Sequence, residues 1–340
     1  MSNLTSPLEY SGVSCFTASK YRGRQRRILP LEPVLRSELL NKSSTRFPRF
    51  WRAADASGVN NSKTDCPVCE ISSYQDYASG YNRLAELLGH PGKEAAASDV
   101  ESLHQLLTRR NNATGSLGLS DCLFLAAFVR IISPKRIVEI GTGSGFSAAL
   151  LALAIHSQNC GQSGVCVDTI DVNAEYFGNE NLNVGFEIQH LLPDLSDAVR
   201  VHAPRQSDFI GNLAKPDELE LVFIDADHQH PRPLLDVLRV APFVRGCGWI
   251  LLHDTRLGSM GCVSEKAGCS YDACFGAEWL FEAWPFRKIS GGNVGAIQLP
   301  LEKRQVLPTA KKLLKLPFEV RDQRNRHLRS EVRKCFTQLR

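Results

Sequence analysis

Two groups of residues in this 340-residue sequence have the types and spacing to do chemistry. The first is the run Val138-Glu139-Ile140-Gly141-Thr142-Gly143-Ser144-Gly145-Phe146, followed thirty positions after Gly141 by Asp171. Glycines at 141, 143 and 145 let a backbone turn tightly and let a ligand approach closer than any Cβ would permit. A helix starting behind them favours an anionic ligand group. The spacing is G-x-G-x-G, one residue shorter than the loop that accommodates a dinucleotide pyrophosphate, so a smaller carboxylate suits it. Asp171 ends an apolar run, where a carboxylate accepts hydrogen bonds from a ribose diol. The second group is Asp225-Ala226-Asp227-His228 with His253-Asp254-Thr255. Oxygen donors of this kind suit Mg2+ or Mn2+, which could hold a substrate hydroxyl and stabilise its alkoxide.

These residues need a scaffold, and the texture of the chain supplies one. Arg136–Ile140, Val165–Ile170, Val199–His202, Leu219–Ile224 and Gly248–Leu252 read as strands, with crossover helices starting near Phe146, Asn173, Phe209 and Pro231. Strand alternating with helix predicts a parallel sheet covered on both faces, which puts both groups at its carboxyl edge. Val294–Leu299 is expected as a late antiparallel edge strand. Ahead of the sheet, Tyr74, Tyr77, Tyr81, Leu84 and Leu88 recur at helical steps up to a stop at Gly89. Ser98 with Glu101 predicts a capping box for a second helix, and Ser120 a cap for a third that runs to Ile132. The Gln158–Gly164 stretch, with Gly161 and Gly164, accounts for the long Gly141-to-Asp171 interval.

Composition narrows the class. With 43% apolar and 22% charged residues the chain can bury a substantial core, and no apolar run is long enough to cross a bilayer. Residues 1–60 hold 10 basic and 4 acidic residues and residues 301–340 hold 12 and 4, leaving 18 basic and 28 acidic for 61–300. Basic arms thus flank an acidic body. Eleven cysteines, without repeating spacing or a secretory leader, are expected to be reduced thiols in a cytoplasmic compartment.

The run Val138–Phe146, with Asp171 after the second strand, resembles the class I S-adenosylmethionine-dependent methyltransferases. The resemblance implies a Rossmann-like α/β fold, a doubly wound and mostly parallel sheet in an α/β/α sandwich, with N-terminal helices and a basic C-terminal tail. It implies that Glu139, Gly141, Thr142, Gly143, Gly145 and Asp171 bind S-adenosyl-L-methionine, that Gln206, Ser207 and Asp208 line the adenine, and that Asp225 borders the cofactor. The strand ends look like those of metal-dependent O-methyltransferases acting on small molecules, the caffeoyl-coenzyme A and macrocin enzymes among them, through Asp225 and His228 in an Asp-x-x-His signature. That likeness implies Asp225 and Asp254 as ligands of Mg2+ or Mn2+ and His228, with Asp225, as catalytic, His228 being the general base. Thr255 departs from the family pattern, which has Asp or Asn there.

The expected organisation is a basic arm (1–70), a helical segment (71–132), the methyltransferase core (133–300) and a solvated basic tail (301–340). The expected reaction is methyl transfer to a small-molecule hydroxyl. A nucleic-acid methyltransferase using the arms, a non-catalytic cofactor-binding protein and an NAD-binding fold stay open, as does homo-oligomerisation. Asp227 as a cap of the helix at Pro231, His230 as a solvated loop residue and His253 as a packed histidine bonded to backbone are the structural alternatives. Cys66-Pro67-Val68-Cys69 supplies half of a zinc set and reads as a structural pair. Cys262, Cys269 and Cys274, among glycines, suit a flap over the substrate.

Overall fold

The computed structural model describes residues 66–111, 113, 117–156, 164–260, 274–320 and 325–339. The N-terminal arm up to residue 65, Gly161 of the 158–164 stretch, and Cys262 and Cys269 of the expected flap lie outside the described residues. Helices α1 (Tyr77–Leu88), α2 (Ala97–Arg109) and α3 (Leu119–Ile132) precede β1 (Ile137–Ile140), α4 (Phe146–His156) and β2 (Val167–Ile170). A small hairpin, β3 (Glu175–Tyr176) and β4 (Asn179–Asn183), leads to α5 (Ile188–Leu191), β5 (Val199–His202), β6 (Leu219–Ile224), α6 (Arg232–Val240) and β7 (Val244–Leu252). The chain continues through α7 (Gly276–Ala283), β8 (Lys288–Gly291), β9 (Val294–Gln298), α8 (Leu307–Leu313) and α9 (Asn325–Gln338).

The seven-stranded sheet has the order β5-β2-β1-β6-β7-β9-β8. Its first five strands are parallel, and β9 enters antiparallel between β7 and β8. Successive side chains leave opposite faces of a strand, and the sequence is apolar at both parities. Ile137, Leu221, Phe223 and Leu251 join a core with α1 to α4, while Val138, Val222, Ile224 and Ile250 join a second core with α6 to α9. This is the expected doubly wound sandwich.

Local expectations fare unevenly. Gly89 terminates α1 with φ +82, as read. The box at α2 is displaced: the Asp99 carboxylate accepts from the Ala96 N–H at 3.3 Å, which leaves Ser98 and Glu101 inside the helix. At α3, Asp121 accepts from Gly118 N at 3.2 Å, so Ser120 belongs to the first turn rather than the cap. No long helix follows Asn173; the β3–β4 hairpin stands there, with Tyr176 buried against Phe177 and Phe186. The segment near Phe209 is a 3-10 turn, Ser207–Asn212.

The C-terminal segments are not a solvated tail. Leu328, Val332, Cys335 and Leu339 are buried at steps of four, three and four, the stripe of a packed helix. Glu331 of α9 pairs with Arg239 of α6 at 3.0 Å. The cations lie on the outer face, where Arg329, Arg333 and Lys334 are exposed. Cys66–Cys69 runs beside β8: Ser290 N donates to Pro67 O at 2.9 Å and Cys69 N to Ser290 O at 2.8 Å, which makes the segment a structural border.

The helical layer is pinned to the sheet through aromatic contacts, Phe128 meeting Trp249 edge-on at 5.4 Å and Phe124 at 5.8 Å. Because Phe128 is fully buried, Phe128→Ala is expected to cost about 3–5 kcal/mol of stability, read as a lowered midpoint in urea unfolding followed by circular dichroism.

Candidate active site

The parallel ladder runs one residue past each central strand and so aligns the chemical groups. Asp171 N donates to His202 O (3.1 Å), Gly141 N to Ile170 O (2.8 Å), Asp225 N to Ile140 O (2.8 Å) and His253 N to Ile224 O (3.0 Å). Asp171, Gly141, Asp225 and His253 therefore stand in one row along the carboxyl edge.

The three glycines of the loop serve different ends. A Cβ on Gly141 (φ +100) would lie 1.9 Å from the Asp225 carbonyl oxygen, and one on Gly145 (φ +91) 2.6 Å from Ile188 Cγ1. Those two are demanded by packing. Gly143 (φ +51) faces open space, with only Phe177 at 3.8 Å from a Cβ, and there a ligand can reach the backbone. Asp171 secures the loop: its Oδ2 accepts from Thr142 N (3.0 Å) and Gly143 N (3.1 Å), and its Oδ1 from Asn173 N (2.9 Å). A carboxylate has about four acceptor directions, so one remains open to a further donor. Thr142 turns its hydroxyl to that of Thr169 (2.7 Å), away from the open face.

Glu139 is wholly buried, and neither carboxyl oxygen makes a well-formed hydrogen bond among the described residues. Burial pushes its pKa up to about 8; the nearby Ser147 and Thr169 hydroxyls pull down, and the Asp225 and Asp171 charges add to the rise. A buried acid beside the loop with its oxygens unsatisfied fits a cationic ligand group. The residues after β5 fit the adenine expectation less well. Ser207 Oγ donates to Asp236 at 2.5 Å and accepts from Arg239 at 3.0 Å, so its hydroxyl belongs to the α6 interface. Gln206 also meets Arg239 (3.2 Å), while Asp208 is exposed.

Across Gly141, the second group gathers around His253. Its Nδ1 lies 3.0 Å from Asp225 Oδ1 and 3.6 Å from Asp254 Oδ1, and its Nε2 3.5 Å from Asp121 Oδ2. Burial opposes a charge on this ring, but the Asp225 and Asp254 carboxylates, with hydrogen bonds that the ring donates to Asp121 and Asp225, carry its pKa well above the usual value. His228 Nε2 sits 3.0 Å from Asp254 Oδ2 and 4.0 Å from Asp225 Oδ1. Burial raises the Asp254 pKa, yet the His253 and His228 charges and the Asn293 amide outweigh it and hold the carboxyl below its ordinary range. Asp254 has φ +58, in the left-handed region that Asp tolerates better than most residues.

The structure thus brings together Asp225, His228, His253 and Asp254 and leaves out two neighbours. Asp227 accepts from Gln229 N (2.9 Å) and faces Arg232 (3.7 Å), the structural role. His230 is not the solvated loop residue of the sequence reading: it is buried between Trp279 and Phe318 and held near pKa 4 by burial. Sequence reading also missed two members. Asn293 Nδ2 donates to Asp254 Oδ1 at 2.7 Å from the β8–β9 turn, while Thr255 Oγ1 turns to Asn293 O at 3.1 Å. Only the strand that starts at Val294 is expected there from sequence, and the Gly291-Gly292-Asn293 step before it, a turn signal, went unread. Asp121 arrives from α3, and no local pattern announced it. One oxygen each of Asp225 and Asp254 and a ring nitrogen of His253 lie within 4.8 Å of one another, a donor set that fits a divalent cation. Beside Thr255 opens a cavity of about 590 Å3 lined by Arg256, Ser259, Met260, Glu278 and Phe281, large enough for a small organic molecule.

Residues 138–255 match a family model described as a methyltransferase domain. No curated protein matches the chain by sequence. Among solved structures, the chain is similar to an O-methyltransferase from Bacillus cereus in complex with SAH (17% identity, TM-score 0.38, covering 66% of this chain and 100% of that one). It is also similar to the O-methyltransferase TomG from Streptomyces achromogenes, involved in tomaymycin synthesis and solved with SAM (18% identity, TM-score 0.38, covering 66% and 98%). A methyltransferase from Geobacter sulfurreducens matches at 17% identity and TM-score 0.36, covering 64% and 94%.

Glu139 makes stability depend on pH. Its folded pKa is raised to about 8 from an ordinary carboxylate value, so the folded state keeps a proton that the unfolded chain releases, and its contribution falls as pH rises from about 4.5 to about 8. Thermal melts of the ligand-free protein and of Glu139→Gln across that window should diverge, the variant losing the Glu139 share of the decline.

Proposed function

We propose that the class I S-adenosylmethionine-dependent methyltransferase domain carried by this chain transfers its methyl group to a hydroxyl oxygen of a small molecule. The observation that carries the reading is the adjacency of two opposite designs across Gly141: an open-faced loop beside the buried Glu139, and a cluster of carboxylates and imidazoles whose next residue in the chain, Thr255, lines a cavity.

On the first side, the Gly143 backbone and the last free direction of Asp171 would hold the methionine and ribose parts of the cofactor. Glu139 would ionise against a cationic amino group, and Asp225 adds negative potential toward a sulfonium. On the second side, His228 Nε2–H donates to Asp254, which leaves Nδ1 to take the proton of the acceptor hydroxyl. When bound, S-adenosylmethionine would supply the methyl group, its carbon–sulfur bond breaking as the acceptor oxygen bonds to the methyl carbon, and would depart as S-adenosylhomocysteine. The loop and the cavity fix the two reactants, and such fixing supplies much of the rate. Mg2+ or Mn2+ fits the donor set of Asp225, Asp254 and His253 provided that the His253 ring gives up its proton to the ion, and when bound it would lower the pKa of the acceptor hydroxyl. Asn293 orients Asp254 from outside that set. The cavity beside Thr255, part apolar and part charged, would receive the rest of the acceptor.

Calorimetric titration with S-adenosylhomocysteine is expected to saturate at one site per chain, and titration with NAD to give no heat. Methyl transfer from labelled S-adenosylmethionine to a panel of catechols, phenols and sugars is expected to select an acceptor, chelator to abolish transfer, and Mg2+ or Mn2+ to restore it. Full activity in chelator would remove the metal, and binding without product on any acceptor would remove the enzyme. His228→Ala should lower kcat by about 10² to 10⁴ with S-adenosylhomocysteine affinity unchanged.

A further inference from the structure

The residue that fixes the loop carrying His228 comes from none of the elements of the sheet. Glu319 lies after α8, and its partly buried carboxylate is filled by backbone donors: Oε2 accepts from His230 N (2.7 Å), and both oxygens accept from Phe275 N (2.9 and 3.0 Å). Its own N–H donates back to His230 O at 2.9 Å. The two segments it joins also touch directly, Gly276 N donating to His228 O at 3.0 Å. That approach requires glycine, because a Cβ on Gly276 would lie 2.6 Å from His228 O and 2.7 Å from His230 N. Next to this seam the His230 ring stands edge-on to Trp279 of α7 (5.4 Å) and Phe318 (5.6 Å).

A charged acceptor that takes several N–H groups stabilises a fixed backbone more strongly than a neutral one. Here the anchored backbone is the loop from Asp225 to Pro231 on one side and the start of α7, which carries the Glu278 and Phe281 walls of the cavity, on the other. We infer that Glu319 is a positioning residue: its carboxylate holds the His228 loop and the acceptor-side helix in register, so that base and acceptor meet. The role rests on the methyl-transfer reading above. It acts on the acceptor half of the site and leaves the cofactor half, built on β1 and β2, untouched.

The test measures wild type, Glu319→Gln, Glu319→Asp and Gly276→Ala with the acceptor selected from the panel. Val332→Ala, in the apolar seam of α9, supplies a control of comparable stability loss. Glu319→Gln and Gly276→Ala are expected to lower kcat about tenfold to a hundredfold, the scale of a misplaced reacting group. Their affinity for S-adenosylhomocysteine by calorimetry should stay within about twofold, and Glu319→Asp, which keeps the charge, should recover part of the loss. Hydrogen exchange in Glu319→Gln should rise at the amides of 228–230 and 275–277 and not across β1 and β2. The inference is overturned if kcat stays at the wild-type level, or if kcat and cofactor affinity fall together as they do in Val332→Ala at matched loss of Tm. If wild type binds S-adenosylhomocysteine but methylates no acceptor, the functional reading fails, and the positioning role fails with it.

Discussion

The rest of the structure depends on the contact between the first turn of the glycine loop and the end of β6. Gly141 passes so close to the Asp225 carbonyl that no side chain fits between them. The close approach is what sets the glycine loop directly beside an acidic cluster, on neighbouring strands with no loop between them. Everything that approaches from outside, the Asp171 carboxylate from one side and His253 from the other, is placed by the same backbone ladder. Position along the edge thus follows from main-chain hydrogen bonding and is indifferent to most side chains in the strands.

Charge is the second constraint. Asp121, Asp225 and Asp254 surround one buried imidazole, and carboxylates this close cannot all stay ionised without a positive partner. His253 supplies that charge in the ligand-free chain. The sulfonium of a cofactor is positive too, and so is a divalent ion. The site is therefore an anionic field that several cations can satisfy, and that common feature links the buried Glu139 on one side of Gly141 to the cluster on the other.

Local strings made the centre of this arrangement legible. The glycine run, Asp171, and the two strands ending in Asp225 and His253 can be read because each is contiguous and each follows an apolar run of strand length. Order across the sheet follows from the alternation of elements. What escaped reading is what tertiary packing assembles: Asn293 belongs to a turn thirty-nine residues beyond Asp254, Asp121 to a helix ahead of the sheet, and Glu319 to a segment whose lysines suggested a solvated end. The hairpin after Asn173 was hidden for a different reason. Its outer residues are polar and exposed, so the period that marks a strand is missing, and only the Gly178-Asn179 step hinted at a turn. The caps of α2 and α3 went astray by one or two positions because Asp99 and Asp121 compete with the serines beside them for the same backbone donors.

The strand order has a consequence for the growing chain. β7 is paired on one side by β6, but its other side is filled by β9, which comes only after the whole of residues 253–293. Until then Trp249-Ile250-Leu251-Leu252 presents a free edge of unpaired amides and carbonyls flanked by large apolar side chains, the template on which one polypeptide sticks to another. A nascent or clipped chain that stops short of residue 294 would carry that adhesive margin openly, so self-association, more than lost catalysis, would be the first symptom of incomplete synthesis.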